Sequence, residues 1–168
     1  SLEKVNTAVK NKILKQYASL LDKERNSIIK ANAKDIKFAL KKELKNNLID
    51  RLTINHEKLD SIKESINKII KLKDPIDNTL EKWSRPNGLK IRRVSIPIGV
   101  IGVIYESRPN VTSDVASLCF KSGNAVILKG GSEAINTNKI FAKLFRKALK
   151  ENKVNENFIQ FVDSKDRK

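Results

Sequence analysis

The sequence predicts an α/β fold in which N-terminal helices are followed by a parallel βαβαβ sheet. Three observations support this prediction. Apolar residues recur at helical spacing in the first half of the chain. Residues 98–105 and 125–128 are apolar runs without polar alternation, as expected for strands buried on both faces of a parallel sheet. Amphipathic segments separate these runs from each other and from a third apolar run at 158–162, which predicts right-handed crossover helices.

The first half of the chain is predicted to consist of amphipathic helices. Residues 2–21 carry an apolar stripe at i, i+4 spacing, which predicts the first helix. Residues 22–44 favour a helix with a less regular pattern, in which Asn32 and Asp35 are candidate N-cap residues. Residues 59–70 predict another helix, and the Asp-Pro pair that follows ends it.

The middle of the chain carries turn and strand signals. Residues 83–88 contain a proline and an Asn-Gly pair, which predict a turn. Residues 89–96 are predicted to be extended, as an edge or hairpin strand that stops at Pro97. Gly99 and Gly102 are assigned to the next strand, where glycines more often allow close packing than bind a ligand.

The remaining elements alternate between strand and helix. They are a strand at 98–105, a helix at 112–121 that stops at Gly123, a strand at 125–129, a helix that runs to about Lys150, and a strand at 158–162. A charged turn at 163–168 follows. Because a doubly wound sheet normally continues beyond three strands, the sequence is predicted to be part of a larger domain.

Composition argues against several classes of protein. No run of about 18 apolar residues and no secretory signal occur, which argues against a membrane span and predicts a cytoplasmic location. One cysteine excludes an internal disulfide, and the single histidine, His56, has no partner for a metal site. The net charge of +16 is spread evenly, with 18 of the 35 Lys and Arg residues in the first 80 positions. Aromatic residues are sparse, so nucleic-acid binding is a weak alternative.

Polar residues gather just past the ends of the first two parallel strands, where open α/β sheets bind ligands. Neither common phosphate loop, G-x-G-x-x-G or G-x-x-x-x-G-K-[ST], is present. The candidates are instead Arg108, Asn110, Lys129, Gly130, Gly131, Ser132 and Glu133. Lys129 is either a ribose or phosphate ligand, aided by free N–H groups where the next helix begins, or an ordinary surface lysine. Glu133 either accepts a ribose hydroxyl or complements the helix dipole.

Two candidates, Asn110 and Arg108, lie in the turn after the first parallel strand, and each has two possible roles. Asn110 is either an N-cap that accepts a backbone N–H of the next helical turn, or an amide donor that stabilises an oxyanion. Arg108 either binds a carboxylate or phosphate, or pairs with Asp114. Cys119 shares a helix face with apolar residues, so it is predicted to pack as a small hydrophobe rather than to act as a nucleophile.

The most distinctive stretch of the chain is IPIGVIGVIYESRPNVTSDVASLCFKSGNAVILKGGSE. It resembles the gamma-glutamyl phosphate reductase (glutamate-5-semialdehyde dehydrogenase) family of the aldehyde dehydrogenase superfamily. The resemblance extends upstream through ANAKDI, IDRLTI and KDPI and downstream to Val162-Asp163, so it covers nearly the whole chain. Its most specific motifs are YESRPNVT and ILKGG.

The resemblance implies an enzyme of proline biosynthesis that reduces L-glutamyl 5-phosphate to L-glutamate 5-semialdehyde with NADPH, through a cysteine thiohemiacetal and thioester. It implies that Asn110 is the oxyanion donor and that Arg108 lies near the acyl phosphate. Lys129 and the turn 130–133 would face the adenosine ribose and its 2′-phosphate. The superfamily binds its dinucleotide without the common glycine fingerprint, in agreement with the absence of that fingerprint here.

The resemblance also implies a division of the chain and a set of partners. Residues 1–88 would form an N-terminal helical segment, and residues 89–168 part of a Rossmann-like dinucleotide-binding domain. The family's nucleophilic cysteine lies past residue 168, so this chain alone is expected to be inactive. The expected partners are the small-molecule substrate and either a second copy of the chain or glutamate 5-kinase. A non-catalytic nucleotide-binding or interaction module and a basic nucleic-acid-binding protein are the alternative functions.

Overall fold

The computed structural model describes residues 5–164 and confirms the α/β fold. The helices are α1 (Thr7–Lys23), α2 (Arg25–Lys41), α3 (Asn46–Leu52), α4 (His56–Lys71), α5 (Pro109–Lys121) and α6 (Ile135–Glu151). The strands are β1 (Thr79–Ser84), β2 (Lys90–Val94), β3 (Val100–Ile104), β4 (Ala125–Lys129) and β5 (Ile159–Phe161). Short 3₁₀ turns at Ser132–Ala134 and Glu156–Phe158 precede α6 and β5. Residues 2–4 of the first predicted helix and 165–168 of the final turn lie outside the described range.

The parallel sheet has the strand order β3-β4-β5, which is the predicted βαβαβ unit. Gly102 of β3 pairs with Ile127 of β4, and Ile127 pairs with Gln160 of β5. A separate antiparallel hairpin joins β1 to β2, and almost all of its residues are exposed. The hairpin strand predicted at 89–96 is therefore confirmed as β2. Trp83 belongs to β1, so the turn between the two strands is shorter than predicted.

The hydrophobic core lies on one side of the parallel sheet, where α1, α4, α5 and α6 pack together. The rings of Tyr17 and Phe145 lie 4.5 Å apart, centroid to centroid, and Phe120 meets Phe145 edge-on at 5.6 Å. The core is continuous between the N-terminal helices and the elements after residue 88. The division of the chain at that residue stays a prediction.

The opposite face of the parallel sheet is exposed among the described residues. Ile98 is 83% exposed, Val100 is 65% exposed, Ile104 is 87% exposed and Ile127 is 41% exposed. The prediction that these strands are buried on both faces is therefore wrong for this structure. Because the strand order β3-β4-β5 runs in one direction, both right-handed crossovers place their helices on the same face. Close packing at Gly102 is also absent within residues 5–164, where no atom lies within 4 Å of a Cβ built there.

Two boundaries of the parallel unit differ from the sequence prediction. Helix α5 begins at Pro109, three residues before the predicted start, because proline is favoured at the first helical position. Gly99 precedes β3 instead of belonging to it, and its φ of +117° is accessible to glycine but strained for other residues. The predicted helix stop at Gly123 is present, with φ at +74°.

Asn32 and Asp35 do not cap the helix that contains them, so that prediction is wrong. Both side chains lie buried in the middle of α2, each 1% exposed. The Asp35 carboxylate accepts the backbone N–H groups of Asn136 at 3.1 Å and Thr137 at 2.8 Å, and so caps the start of α6. Asn32 instead binds the backbone after α3, where its Oδ1 accepts the Ile54 N–H at 2.8 Å. Both side chains therefore form hydrogen bonds with segments other than their own helix.

Candidate functional site

A cleft of about 900 Å³ lies at the carboxyl ends of β3 and β4. The residues that follow these two strands line it, together with α3 and Leu44, which precedes α3. The lining includes six of the seven predicted site residues, which are Arg108, Lys129, Gly130, Gly131, Ser132 and Glu133. Asn110 does not line the cleft and lies two residues past Arg108, in the first turn of α5. The sheet thus gathers most of the candidates at the edge where open α/β sheets bind ligands.

The Gly-Gly turn after β4 packs tightly against the chain that follows β3. A Cβ atom at Gly130 would overlap Nδ2 of Asn138 and would lie 3.0 Å from the Tyr105 ring. A Cβ atom at Gly131 would lie 2.6 Å from Oγ of Ser107. Neither glycine has a positive φ, so limited space rather than backbone conformation requires glycine at both positions.

The carboxylate of Glu133 ties together the two loops that form one side of the cleft. Ser107 Oγ donates to it at 2.7 Å, and Ser132 Oγ donates to it at 3.1 Å. Burial alone would raise the pKa of the Glu133 carboxyl, but the hydrogen bonds, led by that from Ser107, outweigh burial and lower the pKa. The carboxylate is therefore ionised near neutral pH and held in one orientation at the cleft.

Lys129 ends β4 and is half-buried where it lines the cleft. It is the register partner of Ile104, so it lies on the exposed side of the sheet. Its Nζ donates to the backbone carbonyl of Ser164, just past β5. An ammonium group has three N–H donors, so two remain for a ligand.

The sequence predicts free N–H groups at the start of α6, but two of them are already hydrogen-bonded within the protein. The N–H groups of Asn136 and Thr137 are donated to Asp35, and the N–H of Ala134 is donated to the carbonyl of Gly131. An internal carboxylate thus already occupies the positive end of the helix dipole. These N–H groups are therefore not available to an anion bound in the cleft.

Arg108 and Asn110 lie where the chain enters α5, and the structure removes one alternative for each. Arg108 is the exposed N-cap residue and makes no ion pair within residues 5–164, so its suggested pairing with Asp114 is wrong. Asn110 is the second residue of the helix rather than its cap, and its Nδ2 donates to Oδ2 of Asp114 at 3.3 Å. Burial raises the pKa of the Asp114 carboxyl, and the Asn110 hydrogen bond offsets this only in part.

Sequence reasoning missed nine residues of the cleft lining, among them Tyr105, Ser107 and Arg51. The Tyr105 hydroxyl lies 2.6 Å from Oγ1 of Thr112, which in turn donates to Oδ1 of Asn138 at 2.8 Å, beneath the Gly-Gly turn. Tyr105 and Ser107 follow the end of β3 and precede Arg108, and these hydroxyls could have been recognised from that position. Arg51 had no local signal, because α3 reaches the cleft only through tertiary packing.

The remaining reactive side chains lie away from the cleft. Cys119 is 8% exposed, and burial raises the pKa of its thiol, as expected for the predicted packing role. His56 is exposed in the first turn of α4. No group of three or more His, Cys, Asp and Glu side chains in the described range could hold a metal ion. Within residues 5–164, no helix has the length and apolar character needed to cross a membrane.

Comparison with known proteins agrees with the family resemblance. No protein-family model matches the chain. The chain is 44% identical over 166 residues to the gamma-glutamyl phosphate reductase of Persephonella marina, which covers 99% of this chain and 37% of that protein. The crystal structure of gamma-glutamyl phosphate reductase from Thermotoga maritima superposes with a TM-score of 0.95 at 42% identity, over 99% of this chain and 40% of that one. The chain thus spans about two fifths of the length of the curated relatives it matches.

More distant structures share the fold alone. An acetylating aldehyde dehydrogenase from Geobacillus thermoglucosidasius has a TM-score of 0.67 at 14% identity, over 99% of this chain and 34% of its own. The fold is therefore one that also occurs in aldehyde dehydrogenases, as the resemblance implied.

Proposed function

We propose that this chain, a homologue of the gamma-glutamyl phosphate reductases, forms the cofactor side of an NADPH-dependent enzyme that reduces L-glutamyl 5-phosphate to L-glutamate 5-semialdehyde. The observation that carries this proposal is the gathering of six predicted residues in one cleft at the carboxyl ends of β3 and β4. Dinucleotides bind at this edge in open parallel sheets.

The Lys129–Glu133 turn is proposed to hold the adenosine end of NADPH, which when bound supplies the hydride for reduction. Lys129 retains two N–H donors for a ribose hydroxyl or phosphate. The Glu133 carboxylate, fixed by Ser107, is placed to accept a ribose hydroxyl. Gly130 and Gly131 let the turn that carries these groups pack directly against Tyr105 and Ser107, which holds the turn in place at the cleft.

The entrance to α5 is proposed to serve the acyl substrate. Arg108 is exposed and makes no ion pair among the described residues, so its guanidinium is free to bind the acyl phosphate. One N–H of the Asn110 amide is directed to Asp114, and the other is free to stabilise an oxyanion at the acyl carbon. Cys119 is not proposed as the nucleophile, because it is buried and its thiol pKa is raised.

The test uses the complete gene product that contains residues 1–168. It is incubated with L-glutamate 5-semialdehyde, inorganic phosphate and either NADP⁺ or NAD⁺, which runs the reaction in reverse. We expect phosphate-dependent reduction of the nucleotide, and we expect it to be faster with NADP⁺ than with NAD⁺. If no phosphate-dependent reduction occurs but NADPH binds in a calorimeter, the chain is a nucleotide-binding module instead. Absence of both overturns the reductase and the nucleotide-binding functions together.

The proposed location is the cytoplasm, and the proposed macromolecular partner is a second copy of the chain or glutamate 5-kinase. The hairpin of β1 and β2 supports a partner of either kind, because Leu80, Trp83 and Leu89 are all more than 40% exposed on it. Light scattering of the complete gene product, alone and mixed with the kinase, distinguishes the two partners.

A further inference from the structure

Arg51 lines the cleft, although no sequence motif points to it. It lies in the last turn of α3, and its side chain is exposed. Within residues 5–164 its guanidinium makes no ion pair and no hydrogen bond. The neighbouring wall is apolar and includes Leu44 and Leu48. A free cation in such a wall is available to a ligand in the cleft.

Buried contacts hold Arg51 beside the Gly-Gly turn. Its neighbour Leu52 is 1% exposed and packs in a small cluster with Ala134, the last residue of the 3₁₀ turn before α6. Nδ2 of Asn32 donates to the Leu52 carbonyl at 2.8 Å, and its Oδ1 accepts the N–H of Ile54 at 2.8 Å. Nδ2 of Asn32 also donates to Oγ1 of Thr137 in α6 at 3.2 Å. The end of α3 is therefore tied through Asn32 to α2 and to the helix that follows the turn, by buried hydrogen bonds that are costly to leave unmade.

Several charged groups surround the turn, including Lys42, which lowers the pKa of the Glu133 carboxyl, and Arg108, which lines the cleft. Asp35 occupies the N–H groups at the start of α6, so these do not serve an anion in the cleft. The ionised Glu133 adds negative charge at the same edge. Lys129 is the cation on the sheet side, and one of its donors is used by Ser164. Arg51 is a further cation of the same cleft lining, and it comes from α3.

We propose that Arg51 binds the phosphate on the adenosine ribose of NADPH and so sets the preference for NADPH over NADH. The inference rests on the proposed function, because it takes the Lys129–Glu133 turn as the ribose site. A guanidinium binds a phosphate through two parallel N–H donors, whereas NADH has only a hydroxyl at that position.

The test measures nucleotide binding by calorimetry with the complete gene product. The probes are adenosine 2′,5′-bisphosphate and 5′-AMP, which differ only in the 2′-phosphate. The variants are Arg51→Ala and Arg51→Lys, with Arg85→Ala as a matched control, because Arg85 is an exposed arginine in the hairpin turn outside the cleft.

We expect Arg51→Ala to weaken bisphosphate binding by about 10- to 100-fold, the scale of losing charge-assisted hydrogen bonds. AMP binding should change by less than about twofold, since AMP lacks the group that Arg51 contacts. Arg51→Lys should retain part of the affinity, and Arg85→Ala should retain all of it. In kinetic assays the NADPH KM of Arg51→Ala should rise while the NADH KM and kcat stay unchanged.

The other outcomes separate this inference from the proposed function. An equal loss of affinity for both probes, or an unchanged affinity for the bisphosphate, overturns the role of Arg51. A wild-type protein that binds both probes equally also overturns it and leaves a reductase without a preference between NADPH and NADH. A wild-type protein that binds neither probe overturns the nucleotide site itself.

Discussion

The carboxylate of Asp35 accepts the backbone N–H of Thr137 at 2.8 Å and the Thr137 hydroxyl at 2.6 Å, although 102 residues separate the two positions. Asp35 belongs to α2 and Thr137 to α6, so this contact joins the N-terminal helices to the helix that follows the Gly-Gly turn. No cation pairs with Asp35 in the described part of the chain. Its charge is stabilised instead by N–H and O–H donors at the positive end of α6.

Replacing Asp35 with alanine should therefore destabilise the protein strongly. The loss removes a helix cap and leaves buried donors of Asn136 and Thr137 without acceptors, at a total cost of roughly 2 to 4 kcal/mol. Urea denaturation of the complete gene product measures the free energy of unfolding. Lys37→Ala, an exposed change in the same helix, is the control and should stay within about 0.5 kcal/mol. A similar small change for Asp35→Ala would contradict the capping role.

The Asp35 contact also shows a limit of sequence reasoning. A short polar side chain inside a helical segment is correctly identified as capable of capping. Local sequence does not reveal which helix it caps, because the partner here lies 102 residues away. Asn32 was misassigned for the same reason, since it binds the backbone at Leu52 and Ile54.

The second prediction concerns the limited space around the Gly-Gly turn. An added methyl at Gly130 overlaps Nδ2 of Asn138 and crowds the Tyr105 ring, so Gly130→Ala should cost about 1 to 3 kcal/mol, as overpacking does. It should also weaken nucleotide binding in calorimetry, because the turn must shift. Gly102→Ala is the matched control, since nothing lies within 4 Å of its Cβ position.

A double-mutant cycle gives this prediction a sharper form. Shortening Asn138 to alanine removes the first atom that the Gly130→Ala methyl meets. The double variant should therefore lose less stability than the sum of the two single variants, as expected for residues in contact. Additive effects would show that the methyl is accommodated elsewhere.

The lowered pKa of the Glu133 carboxyl predicts that the stability of the protein depends on pH. Its pKa in the folded protein is lowered from 4.5, so its contribution to stability is complete above that pH. The contribution is lost as the pH falls through the lowered folded pKa. Unfolding free energies of wild type and of Glu133→Gln, measured from about pH 3 to about pH 7, should differ most at the upper end. A difference that does not change with pH would show that the Ser107 hydrogen bond does not favour the ionised carboxylate.

The fold was largely predictable because its signals are local. The apolar runs of β3 and β4 and the stop at Gly123 each depend on a few adjacent residues. The exposed sheet face was not predictable, because an apolar run such as that around Ile127 is the same whether or not another layer covers it. Within residues 5–164 the strand order places both crossover helices on the other face, and strand order is not a local property of the sequence.

The candidate site was predictable to a similar degree and for similar reasons. Lys129 and the turn after it follow a recognisable strand end, and the cleft lies there. Arg51 was missed because its distance from the turn depends on how α3 packs against the 3₁₀ turn at 132–134. The local sequence does not predict such tertiary packing.

The last prediction separates the two sides of the proposed active site. Asn110→Ala should lower kcat by about 10²- to 10³-fold, the effect of losing one oxyanion donor, and should leave NADPH binding unchanged. Arg108 rather than Asn110 is the N-cap of α5, so the variant keeps that cap, although it loses the hydrogen bond to Asp114. A thermal melt of the variant therefore accompanies the kinetics, to show that the protein remains folded. Lys129→Ala is the contrasting variant and should mainly raise the NADPH KM. Steady-state kinetics of the complete gene product measure both effects. If Asn110→Ala kept full kcat, or if it raised the NADPH KM as Lys129→Ala does, the oxyanion role would be wrong, because an oxyanion donor acts only in the transition state.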